Sequence, residues 1–577
     1  MPQWGSAGAA ASLIDWLHRH AASRADQRAY VVLSDRGREE EGVTFAELAR
    51  RAIAMAPRIA ARAEPGDRAL LLCPNGIDFM TAFLGCLMAR IIAVPMMQPR
   101  RQTTRDASAS IVADCAPRLA LAPAALIGGA PGNLPSRIAA AGLEWLAVDA
   151  SESRAEGEMR APLRDDIAFL QYTSGSTSAP KGVTVSHANL LANLAMIETA
   201  FGNTARSTYV SWVPLYHDMG LIINALQSLY LGALCVFMAP VGFMQRPLVW
   251  LRAISDYKAE IAGGPNFAFD LCVERYRSDQ MVGVDLSGWK LAFNGAEPVH
   301  AETIRRFSET FTPHGFAAGA MYPAYGMAEA TVLISAGRRG AGVTVQSVSR
   351  DALRRNTADA PDGGLPGAGE STRVVGCGRA LEGERLAVVD PETRQRLTTG
   401  QVGEIWATGP HVAQGYWRNP EASAAAFGAT IIGEPGDMWL RTGDLGFLDD
   451  DGELYVTGRM KDVIIIRGAN HYPQDIEDTV QNCHPGLRRH GGAAFAIAGA
   501  DASERLVVIQ EVARTYRNRI DVGELTGRIR EAIVSEHEIA PFEIALLRPG
   551  ALPQTTSGKI QRSLSRELWV SGALERL

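Results

Sequence analysis

The chain is poor in what secreted, metal-stapled and membrane-spanning proteins need. It has seven cysteines in 577 residues (Cys73, Cys86, Cys115, Cys235, Cys272, Cys377 and Cys483), with no Cys-x-x-Cys pair among them. That scatter argues against a zinc knuckle or a disulfide framework. It fits free thiols in a reducing compartment, so a cytoplasmic location is expected. No run of about 18 apolar residues is present to span a bilayer. The first apolar stretch carries Asp15, His18 and Arg19, unlike the core of a signal peptide. Basic excess is lacking too: 57 Lys and Arg against 63 Asp and Glu leave a net charge of −6. Arg100-Arg101 and Arg488-Arg489 are too short to form a nucleic-acid-binding stripe, so no nucleic-acid partner is expected. What is present is 47% apolar and 21% charged residues, ordinary for a globular protein, in a chain long enough for two or more domains.

Strand and helix patterns alternate from the start. Residues 13–24 read as a helix and 29–33 as a strand. Thr44 with Glu47 forms a capping box for a helix to about residue 63. Strands over 69–73, 91–95, 119–121, 146–148 and 167–170 continue the rhythm, which argues for parallel sheets flanked by helices. From residue 385 the pattern changes to short strands with Gly-rich turns, a β subdomain. Strand 463–466 and helix 474–483 then open a mixed α/β unit. The expected fold is therefore α/β: a large N-terminal domain over 1–458 ending in the β subdomain, a junction at 459–462, and a small α+β domain over 463–577. The stretch 350–373 stands apart, with Leu353 and Leu365 its only large apolar residues. It reads as an insertion, either functional or a surface loop without effect.

The densest chemical signal is Thr173-Ser174-Gly175-Ser176-Thr177-Ser178, followed by Pro180 and Lys181. Hydroxyls and backbone N–H groups at this density suit a loop that wraps phosphate oxygens, with Lys181 as a cation. It is not a Walker A loop, because Lys181 is followed by Gly182 and a strand rather than a helix. A polar hairpin is the other reading. Downstream, strand 209–213 ends in Pro214-Leu215-Tyr216-His217-Asp218, where residues face the crevice of an α/β sheet. His217 and Asp218 either meet a ligand there, or cap and pack a helix. Residues 321–329 read as a strand leading into an apolar helix. Glu329 is the one carboxylate in that stretch, either functional or a helix-start charge.

Together these stations, with Arg441-Thr442-Gly443-Asp444, Gly458–Asp462 and Leu552-Pro553-Gln554-Thr555-Thr556-Ser557-Gly558-Lys559-Ile560-Gln561-Arg562, resemble the adenylate-forming superfamily of acyl-CoA synthetases, luciferase and nonribosomal adenylation domains. The order holds across nearly the whole chain. The blocks at 215–220, 263–268, 293–298 and 467–477 are most similar to fatty acyl-AMP ligases, and an insertion at about 349–372 also sits where that subgroup carries one.

The resemblance implies two steps. A fatty acid carboxylate attacks the α-phosphate of ATP to give acyl-adenylate and pyrophosphate. The acyl group then passes to the phosphopantetheine of an acyl carrier protein, or of a carrier domain in a polyketide or nonribosomal peptide synthase. The carboxylate needs no general base, since its pKa lies near ~4–5, so the difficulty is charge repulsion at the phosphates. Lys559 is implied as the cation bridging carboxylate and α-phosphate, with His217 at the acyl entrance. Thr173, Ser174, Gly175, Ser176, Thr177 and Lys181 would hold the β- and γ-phosphates. Glu329 and Thr177 would hold Mg²⁺. Asp444, assisted by Arg459, would take the ribose. Asn294, Gly295, Ala296, Glu297, Tyr322, Tyr325, Gly326, Met327 and Ala328 would form the adenine and α-phosphate slot, with Tyr325 as its stacking face. Lys461 matches the hinge of a mobile C-terminal domain. Met238, Phe243, Gly264, Pro265, Phe267 and Ala268 would line the acyl pocket.

Two positions depart from the broader superfamily: Ser178 stands where Gly is more usual and Ala328 where many relatives carry Thr. Neither removes Glu329, Asp444 or Lys559. An acyl-CoA ligase, an amino-acid adenylation enzyme and a nucleotide-binding pseudoenzyme are the competing readings. The insertion is expected to fold back on the N-terminal domain through Leu353 and Leu365 and to bias the C-terminal domain.

Overall fold

A computed structural model of the chain describes residues 10–97, 107–127, 143–149, 161–173, 180–361, 371–466, 469–498, 504–516, 521–555 and 559–577. Among these, no helix is long and apolar enough to cross a membrane.

Two parallel-cored sheets form the large domain. The first runs Arg379–Ala380, Ser335–Ala336, Met321–Tyr325, Leu291–Asn294, Ile261–Gly264, Thr208–Ser211, Leu234–Met238, Arg28–Leu33 and Glu39–Thr44, antiparallel only at its edges. The second runs Glu144–Ala147, Leu119–Ala122, Arg68–Leu71, Ile92–Pro95, Ile167–Thr173 and Lys181–Ser186, with only the last strand antiparallel. Ile261–Gly264 and Leu291–Asn294 are buried at every position. Helices cover both faces of such strands, so continuous apolar runs replace the alternation of a half-exposed sheet. Thr44 Oγ1 accepts from Glu47 N at 3.2 Å and starts the helix Phe45–Ala60, as the sequence pattern predicts.

A four-stranded antiparallel meander follows: Arg385–Val389, Gly403–Thr408, Leu440–Leu448 and Leu454–Arg459. The short turn Met460–Asp462 leads out of it. The small domain packs the helices Pro473–Asn482 and Val522–His537 on a sheet of Leu487–Ala498, Glu504–Val512 and Glu543–Leu547, around a core that includes Ile476, Val480, Leu506 and Ile529.

One element departs from expectation. After Met321–Tyr325 there is no apolar helix. A single turn, Ala328–Ala330, is followed by Thr331 in the left-handed region (φ 66°), and the chain doubles back to pair Ser335–Ala336 against Met321–Tyr325. The crossing is so tight that a Cβ on Gly326 would stand 1.8 Å from the Val332 carbonyl oxygen, so only glycine fits. Glu329 therefore does not occupy the start of a helix.

The insertion also has more structure than its composition suggests. Val345–Ser349 pairs with Ser371–Val375, and Arg350–Arg354 makes one helical turn. Leu353 packs with Val402, Phe447 and Tyr455 of the β subdomain and with Tyr472 of the small domain. Arg354 Nη1 lies 2.8 Å from Glu538 Oε2, Arg354 Nη2 donates to the His537 carbonyl at 2.7 Å, and Asn470 Nδ2 donates to Asn356 Oδ1 at 2.8 Å. The insertion thus meets both domains, not the N-terminal one alone. Leu365 lies outside the described residues.

Candidate active site

A cavity of about 2030 Å³ lies where the parallel strands end, between the two domains. Three loops of the large domain build its fixed wall.

The first loop presents Asp444. Glu404 is almost wholly buried and receives Arg441 Nη2 at 2.7 Å and Gly443 N at 3.1 Å, which fixes the turn. Thr442 Oγ1 donates to the Ile405 carbonyl and accepts Asp444 N. The pairing of Gly403–Thr408 with Leu440–Leu448 shifts register here. Such bulges re-aim side chains at sites. Asp444 is thereby aimed at the cavity, with Oδ2 accepting from Tyr325 Oη at 2.8 Å and Oδ1 from Arg459 Nε at 3.0 Å. Arg459 is held above its usual pKa, first by the Asp444 carboxylate. Each carboxylate oxygen has a second lone pair, so Asp444 can still accept from a ligand diol.

The second loop presents Glu329. Its carbonyl accepts Ala413 N at 2.9 Å, and its Oε1 accepts from Tyr416 Oη at 2.8 Å. Burial pushes the Glu329 carboxyl upward. Tyr416 is anchored in turn: Thr184 N donates to the Gly415 carbonyl, and Trp417 N to the Gly182 carbonyl at 2.7 Å. Residues 415–417 thus lie along Lys181–Ser186, and Lys181 Nζ sits 4.7 Å from the Tyr416 ring centroid. Thr173 and Lys181 are the last register pair of their hairpin. Ser174, Gly175, Ser176 and Thr177, with Ser178, lie outside the described residues.

The third loop presents His217 and Asp218. Asn75 pins it, donating to the Val213 carbonyl and accepting from Leu215 N. A widened, π-type helix, Met219–Leu226, starts there, a form often found at functional sites. A Cβ on Gly220 would lie 2.1 Å from the Pro214 carbonyl oxygen, so the turn requires glycine. Asp218 caps this helix, accepting from Met219 N at 2.7 Å, and its Oδ1 also lies 2.5 Å from His217 Nδ1. Asp218 therefore caps the helix, as one sequence reading had it, and also borders the cavity. Burial works to raise its pKa, but His217 and then Lys559 outweigh it and hold the carboxyl below the usual range.

The small domain supplies Lys559. Gln554 and Ile560 pair at the base of a hairpin, Thr555 N donates to the Lys559 carbonyl, and Lys559 N donates to Thr555 Oγ1. The Lys559 ammonium lies within electrostatic reach of Asp218, Glu297 and Asp444. Burial lowers its pKa by more than these acids restore. Glu297 is itself raised by burial, and its Oε1 accepts Phe267 N at 2.7 Å.

The structure thus brings Lys559, His217, Thr173, Lys181, Gly295, Ala296, Glu297, Tyr325, Gly326, Met327, Ala328, Glu329, Asp444, Arg459 and Lys461 to one cavity. Asn294 and Tyr322 do not border it. Asn294 donates to Asn266 Oδ1 in the interior, and Tyr322 packs edge-on to Phe201 and donates to the Ala200 carbonyl. The acyl-pocket residues are likewise set back. Met238, Phe243 and Ala268 are core, Phe243 stacks on Trp212 with ring centroids 3.9 Å apart, and Phe267 meets Trp212 edge-on. Gly264 faces Trp212, and Pro265 starts the helix Asn266–Glu274. These aromatic rings fill the space between sheet and helices. Apolar residues that do border the cavity include Met219, Ile223, Val332 and Leu333. Sequence reasoning missed Tyr416: a tyrosine in a loop carries no local mark of its contact with a carboxylate 87 residues away.

The family of AMP-binding enzymes matches residues 17–417, and a second family, the AMP domain of Disco-interacting protein 2-like proteins, matches 461–577. The chain is 39% identical to the medium-chain-fatty-acid–[acyl-carrier-protein] ligase JamA of Moorena producens, over 98% of this chain and 96% of that one. It is 34% identical to the long-chain-fatty-acid–AMP ligase FadD26 of Mycobacterium marinum, over 98% of each. Among solved structures, the fatty acyl-adenylate ligase of L. pneumophila in complex with acyl adenylate and pyrophosphate superposes with a TM-score of 0.75 at 37% identity, covering 97% of this chain and 96% of that one.

Proposed function

Because this chain belongs to the AMP-binding enzymes, and among them to the fatty acyl-AMP ligases, we propose that the cavity between its domains joins a fatty acid carboxylate to the α-phosphate of ATP. The enzyme forms an acyl-adenylate with release of pyrophosphate and passes the acyl group to an acyl carrier protein. In the first step a carboxylate oxygen bonds to the α-phosphorus, and pyrophosphate leaves with the electron pair of the broken P–O bond. In the second a thiol sulfur bonds to the acyl carbon and AMP leaves.

The observation that carries this reading is the convergence of a small-domain lysine, Lys559, with Asp444, Arg459 and Glu329 of the large domain. Lys559 offsets the charge that builds as two anions meet, which is electrostatic catalysis in a site of low dielectric. Asp444 takes the ribose hydroxyls with Arg459 at its side. Lys181, Thr173 and the hydroxyls of residues 174–177 hold the departing phosphates. His217 and Asp218 stand at the acyl entrance.

Glu329 fits Mg²⁺, which takes one or two protein carboxylates and completes its shell with phosphate and water. Among the described residues no three acidic, His or Cys side chains gather as a self-sufficient metal cage, consistent with a metal shared with phosphates. Bound there, Mg²⁺ would neutralise phosphate charge, while Tyr416 keeps Glu329 oriented. Lys461, in the turn Met460–Asp462 between the domains, is the hinge of the 459–462 junction. Seven free thiols support a cytoplasmic location. The carrier is an acyl carrier protein or a carrier domain of a polyketide or nonribosomal peptide synthase.

Pyrophosphate release with ATP, Mg²⁺ and unbranched acids from hexanoate to tetradecanoate tests this reading. Each buried CH₂ contributes about 0.8 kcal/mol, so affinity should climb with length until the apolar wall is full. A flat response, or a preference for amino acids, overturns it.

A further inference from the structure

One pair of side chains ties the domains together at the edge of the cavity, close to where Lys559 is carried: His490 borders the cavity and Asp270 lies behind it. Asp270, on the helix Asn266–Glu274, has a side chain only 2% exposed and takes three donors. Thr303 Oγ1 donates at 2.5 Å, Arg306 Nη1 at 3.0 Å and, from the small domain, His490 Nε2 at 2.7 Å. A carboxylate this deeply buried is stable only when paired. His490 has a backbone φ of 51°, a left-handed conformation that a non-glycine residue keeps only where contacts hold it.

From His490 the connection runs on to the lysine. The His490 carbonyl accepts from Gln554 Nε2 at 2.9 Å, and Gln554 pairs with Ile560 at the base of the hairpin whose Thr555 N bonds the Lys559 carbonyl. On the other side, Thr303 Oγ1 accepts from Asn266 Nδ2, and Asn266 Oδ1 accepts from Asn294 Nδ2, one residue before Gly295 of the cavity wall. A hydrogen-bonded line, buried at Asn294, Asn266, Thr303 and Asp270 and half-buried at His490 and Gln554, therefore joins the wall of the nucleotide site to the Lys559 hairpin.

We propose that His490 and Asp270 are a latch that holds the Lys559 hairpin over the cavity for adenylate formation and releases it for acyl transfer. They are positioning residues and touch no substrate. The proposal rests on the reading of Lys559 as the cation of the first step. A latch differs from a structural strut in what its loss changes. Nucleotide binds mainly to the large domain, whose loops do not depend on His490. Loss of the latch lowers the fraction of enzyme with Lys559 in place, and hence kcat, while the KM for ATP stays.

The test uses the full-length enzyme with ATP, Mg²⁺ and dodecanoate, following pyrophosphate release in His490→Ala, Asp270→Asn, His490→Gln and Lys559→Ala. For His490→Ala and Asp270→Asn a fall in kcat of about tenfold is expected, as when one closed-state contact is lost. The KM for ATP should stay within about twofold of wild type. His490→Gln, whose amide can still donate to Asp270, should recover part of the loss. If both latch variants turn over at the wild-type rate while Lys559→Ala is inactive, the latch is wrong and the lysine reading stands. If KM for ATP rises as kcat falls and the melting temperature drops, the pair is merely structural and the latch is again refuted. If Lys559→Ala is fully active, the lysine reading fails and the latch with it.

Discussion

The two halves of the site are held by different physics. On the large domain, Asp444 and Glu329 sit on loops locked by buried partners, Glu404 beneath the first and the strand-like run 415–417 beneath the second. On the small domain, Lys559 stands on a short hairpin that reaches the cavity only because the domains meet. They meet through the apolar cluster of Leu353 and Tyr472 and through polar pairs, His490 with Asp270, His300 with Asp478 at 3.0 Å, and Arg354 with Glu538. Half the site is thus built within one domain, and the other half is assembled by contacts between the two cores. An enzyme with two chemically different steps can reuse the first half and exchange the second.

The largest effect should come from the assembled half. Lys559→Ala should lower adenylate formation by about 10²–10³ while sparing transfer from preformed acyl-AMP, the outcome expected of a lysine that offsets charge only in the first step. Equal loss in both half-reactions, measured separately, would erase the distinction between the halves.

Asp444→Ala probes the half built within one domain. Each hydrogen bond to a charged group contributes about 1.5–3 kcal/mol, so the KM for ATP should rise tenfold or more while the KM for the fatty acid changes little. A matching rise for both substrates would mean that Asp444 supports the domain junction through Arg459 and Tyr325 rather than the ribose.

The α/β core was legible because parallel strands buried on both faces, such as Ile261–Gly264, read as unbroken apolar runs. That Asp444, Glu329 and Lys559 come to one cavity was expected only from the family resemblance of their segments, not from local composition. The contacts that hold them were not legible, since they join residues far apart. His490 and Asp270 are 220 positions from each other, and nothing local in either segment marks the pairing. The stretch after Tyr325 misled for a different reason. An apolar run looks helical in one dimension, and only the packed structure shows that the chain must cross itself at Gly326. Aromatic residues near 238–269 looked like a pocket for the same reason, because a core and an acyl channel have the same composition.

The insertion sharpens the comparison further, since it touches both halves. Replacing 354–370 with a few Gly and Ser residues removes the Arg354 and Asn356 contacts to the small domain. A bias of about 1.4 kcal/mol shifts a two-pose equilibrium tenfold. Acyl-AMP formation should fall by no more than about tenfold, since these contacts belong to the same closed arrangement, while acyl-CoA rises above wild type. Adenylation without any rise would place rejection of CoA in the thiol channel itself.

The smallest expected effect is on pH dependence. Burial works to lower the His300 pKa, but Asp478, then Glu297 and Asp270, outweigh it and hold the value up at about 9. A group whose pKa is raised in the closed form favours that form fully below its ordinary value of 6.5, and the contribution fades as pH climbs through about 9. First-step kcat should therefore fall a few-fold, by roughly the worth of one ion pair, over that window. In His300→Gln the fall should be shallower, and what remains belongs to other groups, Lys559 among them. An identical profile in wild type and variant would remove His300 from the closure.

Activation of fatty acids as adenylates for a carrier protein is the reaction of this chain. Its most direct test supplies ATP, Mg²⁺, dodecanoate, coenzyme A and a phosphopantetheinylated acyl carrier protein together, and resolves the products by mass spectrometry. Acyl-AMP and acyl-carrier thioester should form, with little acyl-CoA. Acyl-CoA as the main product, or no adenylate at all, would contradict it.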